Sequence, residues 1–187
     1  MGRQYRPRYP SFSSSACDPW LNHARFCGPE PQCTSSVGLK LCGLEPLPDQ
    51  LQGSTWVVLV GMPGVAISVD NPPARALLHW LRALQLQTAQ LELVTIYAGS
   101  LLAAHAGLLG QRRVTVTTHH HHLQELQAID PTCKLVTNRV FVEDPPLYSS
   151  AGVTTGVDLT LHRIAAQVAQ TMVVPLRRGP QDPELSP

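Results

Sequence analysis

Apolar and polar positions change their spacing several times along the chain, and each change predicts an element. Residues 1–36 hold few aliphatics among many prolines and serines, too little apolar surface to offset the entropy of ordering, so they read as mostly irregular. From Val37 the texture changes. "VGLKLC" and "STWVVLV" are short β-rich runs, the second nearly all apolar, as expected of a parallel strand covered on both faces. In "DNPPARALLHWLRALQL" Asn71 is placed to cap a helix with Pro72 in its first turn, and Ala74, Leu77, Leu78, Leu81 and Leu84 fall at helical spacing, which predicts a helix over about 72–86. A strand "LELVTI" (91–96), a small-residue helix over about 98–108, a strand near "RVTVTT" and a short helix "HHLQELQAI" follow. Strands are then expected around "KLV", "RVFVE" and "LYSS". The last helix is predicted over about 153–172, with Val157, Leu161, Ile164, Ala165, Val168 and Met172 on one face. Strands alternating with helices imply an α/β fold, a three-layer sandwich around a mostly parallel, doubly wound sheet. The folded domain is thus expected over 37–172, followed by a proline-rich tail over 173–187.

Composition narrows the function classes. A chain of 187 residues with 43% hydrophobic residues, 14% charged residues and a net charge of +1 has no electrostatic footprint for nucleic acid or for an anionic membrane, both of which need clustered Lys and Arg. No apolar run approaches a membrane span, and no secretory h-region precedes the domain; the expected location is cytoplasmic. Five cysteines, odd in number and without a CxxC pair, indicate neither a disulfide framework nor a zinc site.

The stretch "TIYAGSLLAAHAGLLG", Thr95–Gly110, reads as a strand end, a tight turn and a small-residue helix. Many α/β enzymes mount a nucleophile on that shape, yet its apex here is Tyr97. An ordinary tyrosine ionises near pH 10 and is only about 0.1% phenolate at neutral pH, which makes a phenol a poor replacement for a thiol. Ser100 is offset from the apex, so a serine-hydrolase reading finds little support. His105 and His162 read as surface or satisfied core histidines, and Asp158 as a charge near the start of the last helix. His119–His122 offer four imidazoles, but on an α-helix consecutive side chains point about 100° apart. Only His119 and His122 would then be close, and no shared metal ion is expected.

Three stretches together, "GMPG" (61–64), "YAGSLLAAHAGLLGQRRVTVTTHH" (97–120) and "FVEDPPLYSSAGVTTGVDLTLH" (141–162), resemble the PfpI-type, class I glutamine-amidotransferase-like domain. More narrowly they are similar to the domain at the N-terminus of GlxA-type AraC-family transcriptional regulators, over about residues 37–187. The resemblance puts Tyr97 where the family has its reactive cysteine and His119 where a histidine can serve as its base. It also puts Met62 at the second glycine of the oxyanion loop, with Gly61 and Gly64 retained. The family's first strand–helix unit has no counterpart, so it is missing or replaced. About five buried apolar residues at roughly 1.5–3 kcal/mol each would go with it, a sum comparable to a domain's whole stability. The ending "MVVPLRRGPQDPELSP" is similar to the segment joining the sensor domain of such regulators to a pair of helix-turn-helix motifs.

What this implies is a non-catalytic sensor domain that binds a small-molecule effector through Tyr97, Gly61, His119 and Ser150, needs no cofactor, forms a homodimer, and by itself contacts neither nucleic acid nor membrane. The alternatives are an isonitrile-hydratase-like enzyme acting on C–N bonds with a replaced nucleophile, and a remnant without a ligand.

Overall fold

The computed structural model describes residues 24–35, 37–51, 53–61, 68–84, 91–110 and 113–172. Expectations for residues 1–23, for Met62 and Gly64 of the oxyanion loop, for the 85–86 end of the first long helix and for the 173–187 tail lie outside these residues. In chain order the strands and helices are β1 (Cys27–Gly28), β2 (Gln32–Thr34), β3 (Lys40–Cys42), β4 (Glu45–Pro46), β5 (Thr55–Val60), α1 (Pro72–Ala83), β6 (Leu91–Ile96), α2 (Gly99–His105), β7 (Thr115–Val116), a 3-10 helix (His120–His122), α3 (Leu123–Ile129), β8 (Lys134–Leu135), β9 (Phe141–Asp144), β10 (Leu147–Ser150) and α4 (Val153–Met172).

The main sheet has the order β5-β6-β10-β9. The β5–β6 and β6–β10 pairs are parallel, and β9 joins antiparallel through a tight turn at Pro145–Pro146, whose peptide is cis. The sheet is therefore mostly parallel, with one antiparallel edge. Helices cover both faces, which gives the expected three layers. On one face Val57, Leu59, Leu91, Leu93 and Leu147 pack against Leu78 and Leu81 of α1, Leu101 and Ala104 of α2 and Leu126 of α3. On the other, Val94 and Tyr148 pack against Leu159 of α4.

Asn71 caps α1 as its position predicts, its Oδ1 accepting from the Ala74 amide at 2.8 Å, with Pro72 and Pro73 opening the helix. α2 is shorter than its small-residue run suggests and stops at His105. Two short strands, β1 and β2, form where composition suggests irregular chain: β1 pairs with β4 in parallel, and β2 with β3 as a hairpin.

The α4 face of β5 is open. Val58 and Val60 are exposed, as are Val157 and Leu161 along α4. Among the described residues no strand pairs with the other edge of β5. β7 pairs with β8 but reaches the main sheet through side chains: the Thr115 amide donates to Asp144 Oδ2 and the Thr117 amide to Ser149 Oγ.

Under α4, Glu92 of β6 accepts 2.8 Å hydrogen bonds from Arg163 at both carboxylate oxygens and one from the Tyr148 hydroxyl at 3.2 Å. The guanidinium lies 3.9 Å from the centre of the Tyr148 ring. Burial, with the Glu92 carboxylate next in effect, pushes the Tyr148 phenol from its ordinary 10.0 up to about 12. Because the folded value is the higher one, the stabilisation is complete below pH 10 and is lost as the pH rises from 10 to 12. Of the four tyrosines, one is expected to ionise in a late phase of an alkaline absorbance titration, and Tyr148→Phe to remove that phase. A single phase near pH 10 for all four would contradict the assignment.

Candidate functional site

β5, β6 and β10 run in parallel and end in register at Val60, Ile96 and Ser150, the edge at which open α/β sheets place their ligands. Just past β6 the chain turns through Tyr97 with φ +57, a left-handed conformation that costs a residue with a Cβ about 1–2 kcal/mol. Its surroundings hold it there: the Tyr97 amide donates to the Ser150 carbonyl at 3.2 Å, and Thr118 Oγ1 donates to the Tyr97 carbonyl at 2.8 Å. The Gly61 amide donates to the Ile96 carbonyl at 3.0 Å. Gly61 lies so near Ala98 and Gly99 that a Cβ on it would overlap their backbone, and a Cβ on Gly99 would overlap the Leu59 carbonyl. The elbow predicted from "TIYAGS" is thus present, and it gathers Gly61, Tyr97 and Ser150. The Ser150 hydroxyl is engaged, donating to the Gly152 carbonyl at 3.2 Å.

His119 completes the group. Its ring centre is 4.6 Å from that of Tyr97 at a tilt of 32°, and the His122 ring meets Tyr97 edge-on at 5.5 Å. The Tyr97 ring is buried at 7% exposure. Burial, then repulsion from His120, His121 and His122, lowers the His119 pKa from its ordinary value, so this imidazole is neutral at neutral pH and keeps a lone pair.

The helical premise applied to the four histidines is corrected. His119 is extended (φ −60, ψ 143), outside the helix, and the next three residues form a 3-10 helix. The rings of His119, His120 and His121 lie together, at distances of 4.1–4.8 Å. His119 and His122, expected to be the close pair, are 6.5 Å apart. His122 turns inward and bonds Glu125 at 2.9 Å.

Behind the elbow lies a chain of buried hydroxyls of which the sequence singles out Ser100 alone. Thr95 Oγ1 is 2.9 Å from Ser100 Oγ, Ser100 donates to the Thr117 carbonyl at 3.0 Å, and the Thr117 amide reaches Ser149. Ser100 is fully buried and so engaged that it cannot act as a nucleophile. The only hint in sequence is the density of Thr and Ser at strand ends. None of the described cysteines is at the elbow: Cys27, Cys33 and Cys42 lie in the N-terminal strands. Cys133 is buried against the Asp130 carbonyl, and burial pushes its thiol pKa up. His162 is a surface residue paired with Glu143 at 3.3 Å. Asp158 is exposed and bonds no described group. A cavity of about 440 Å3 lined by Asp70, Arg75, His79, Arg82 and His105 lies away from Tyr97.

Comparison with known proteins places this geometry. No family model matches the sequence. The HTH-type transcriptional regulator CdhR of Pseudomonas aeruginosa is 35% identical over 115 residues, which cover 57% of this chain and 33% of that protein; the matched region thus spans about a third of the curated relative. Among solved structures, a ThiJ/PfpI family protein from Pseudomonas syringae superposes with a TM-score of 0.52 at 23% identity, covering 83% of this chain and 63% of that one. An AraC family transcriptional regulator from Pseudomonas putida gives 0.53 at 19% identity, covering 76% of each chain. A DJ-1 superfamily protein from Salmonella typhimurium gives 0.55 at 22% identity, covering 78% of this chain and 74% of that one. The fold is that of the ThiJ/PfpI and DJ-1 proteins, and in sequence the chain is related to a transcriptional regulator. Among the described residues no helix is long and apolar enough to cross a membrane.

Proposed function

We propose that this chain is the non-catalytic, small-molecule-sensing domain of an AraC-type transcriptional regulator, with the effector seated against Tyr97, Gly61, His119 and Ser150. One observation carries the reading: His119 lies over the Tyr97 ring, and no hydrogen bond joins it to the Tyr97 hydroxyl. Nucleophilic catalysis needs the base within hydrogen-bond reach of the group it activates, and here the base candidate is stacked instead. A buried phenol face beside a neutral imidazole suits recognition. The ring attracts a cation, and the imidazole lone pair accepts from an N–H, so a small amine or amino-acid derivative is the favoured class of effector. Its binding acts, in this reading, on the association of two copies. The sequence similarity to a helix-turn-helix regulator supports the setting.

The parent is expected to show no turnover of ester, amide or isonitrile substrates, and Tyr97→Phe to leave that result unchanged. In a thermal-shift screen of amines and amino-acid derivatives, a stabilising compound is expected whose effect is lost in His119→Ala and much reduced in Tyr97→Ala. Parent turnover abolished by Tyr97→Phe would establish an enzyme instead. These 187 residues, with a net charge of +1, are expected to bind duplex DNA no better than non-specifically, which a gel shift at physiological salt checks.

A further inference from the structure

The convergence of three imidazoles has a use beyond the effector reading, with which it shares His119. We propose that His119, His120 and His121 form a binding site for one divalent transition ion of the zinc type, with three nitrogen ligands and a fourth position open to water or a small ligand.

One nitrogen from each ring already lies within 4.8 Å of the other two. Around a tetrahedral zinc at about 2.0–2.1 Å, ligand nitrogens sit about 3.4 Å apart. The closure required is on the order of 1 Å, a side-chain rotation rather than a backbone change. The backbone is already suited to it, because the extended His119 followed by the 3-10 turn curls the three side chains together while His122 points inward to Glu125.

The rings of His120 and His121 are also free to rotate, because both are exposed and neither makes a hydrogen bond with a described residue. His119 Nδ1 accepts a long 3.4 Å contact from the His121 amide and its ring stacks on Tyr97, so His119 is the fixed member toward which the other two turn. Three imidazoles without carboxylate or thiolate fit borderline ions such as zinc, cobalt, nickel and copper, and fit magnesium or calcium poorly. Three protein ligands with one open position is the arrangement of an accessible zinc site, whereas structural sites are closed with four.

The test uses the whole chain, made without a histidine tag and purified without metal resin. Calorimetric titration with zinc(II) is expected to give one equivalent, and cobalt(II) to develop the visible absorption of a four-coordinate ion. His119→Ala, His120→Ala and His121→Ala should each weaken zinc by at least about tenfold, whereas His162→Ala should change nothing. Because His120 and His121 are exposed, those two variants are expected to fold, which far-ultraviolet circular dichroism verifies. Absence of saturable zinc binding overturns the proposal. So does binding of several equivalents indifferent to His120 and His121, and so does dependence on only one of the three histidines. None of these readouts involves the effector, so the sensing function can fail while the metal site stands, and the reverse.

Discussion

Gly99→Ala is expected to destabilise the folded state by about 3 kcal/mol or more. The new methyl would be driven into the carbonyl of Leu59, which is backbone of β5 hydrogen-bonded into the sheet and cannot rotate away as a side chain would. Overpacking of a core typically costs about 1–3 kcal/mol; a clash with strand backbone belongs at or beyond the top of that range, against a total of roughly 5–15 kcal/mol for a domain. Gly43 provides the contrast. Its φ is +76, but a Cβ there meets open space, so Gly43→Ala should incur only the left-handed backbone penalty of about 1 kcal/mol. Urea denaturation of the two variants beside the parent measures the difference. Gly99→Ala with a midpoint near that of the parent would show that the elbow does not rest on β5 as described.

The second large effect is expected at Arg163. Its guanidinium is 15% exposed and Glu92 is 25% exposed, so Arg163→Met leaves a largely enclosed carboxylate with only the Tyr148 hydroxyl as a partner and removes the cation from the Tyr148 face. Removing one member of a fully buried pair costs about 3–5 kcal/mol; the partial exposure of Glu92 reduces this to about 2–4 kcal/mol. The sign of the coupling is the sharper prediction. With Glu92→Leu added, the stranded charge disappears, and the double variant should be more stable than Arg163→Met alone. Two losses that simply add in denaturant titrations would refute the description of Glu92 and Arg163 as one buried unit.

The parts of the fold legible in sequence are those whose cause is local. Asn71 and Pro72 announce α1 because a cap and a fixed φ act within one turn, and the apolar stripe from Val157 to Val168 announces α4. The elbow could be read because a strand, a tight turn and small residues lie consecutively. Pairings between distant segments could not be read. β1 forms because Cys27 aligns with Glu45, and nothing around Cys27 signals it. That Gly61, Tyr97, His119 and Ser150 lie close together could be expected from the motifs along the chain. The stacking of His119 on Tyr97 and the gathering of His119–His121 were not, because both depend on a 3-10 turn where an α-helical spacing had been assumed. Ser100 was discounted for its position, whereas its engagement by Thr95 and Thr117 became visible only in three dimensions.

The attachment of β7 by side chains sets it apart from the strands of the main ladder. β5, β6 and β10 are locked by continuous ladders of main-chain bonds, which break only when the whole sheet does. β7 is joined to that sheet through the Asp144 carboxylate and the Ser149 hydroxyl, which can swing aside individually while the ladders stay intact. What holds the segment from Val114 through α3 to β8 is its apolar side, because Val114, Val116, Leu126 and Cys133 share one core with Leu59, Leu93 and Leu101 of the sheet and the elbow helix. The histidines that face the elbow are thus carried by a segment fastened to the sheet through packing, which gives way only when that core does.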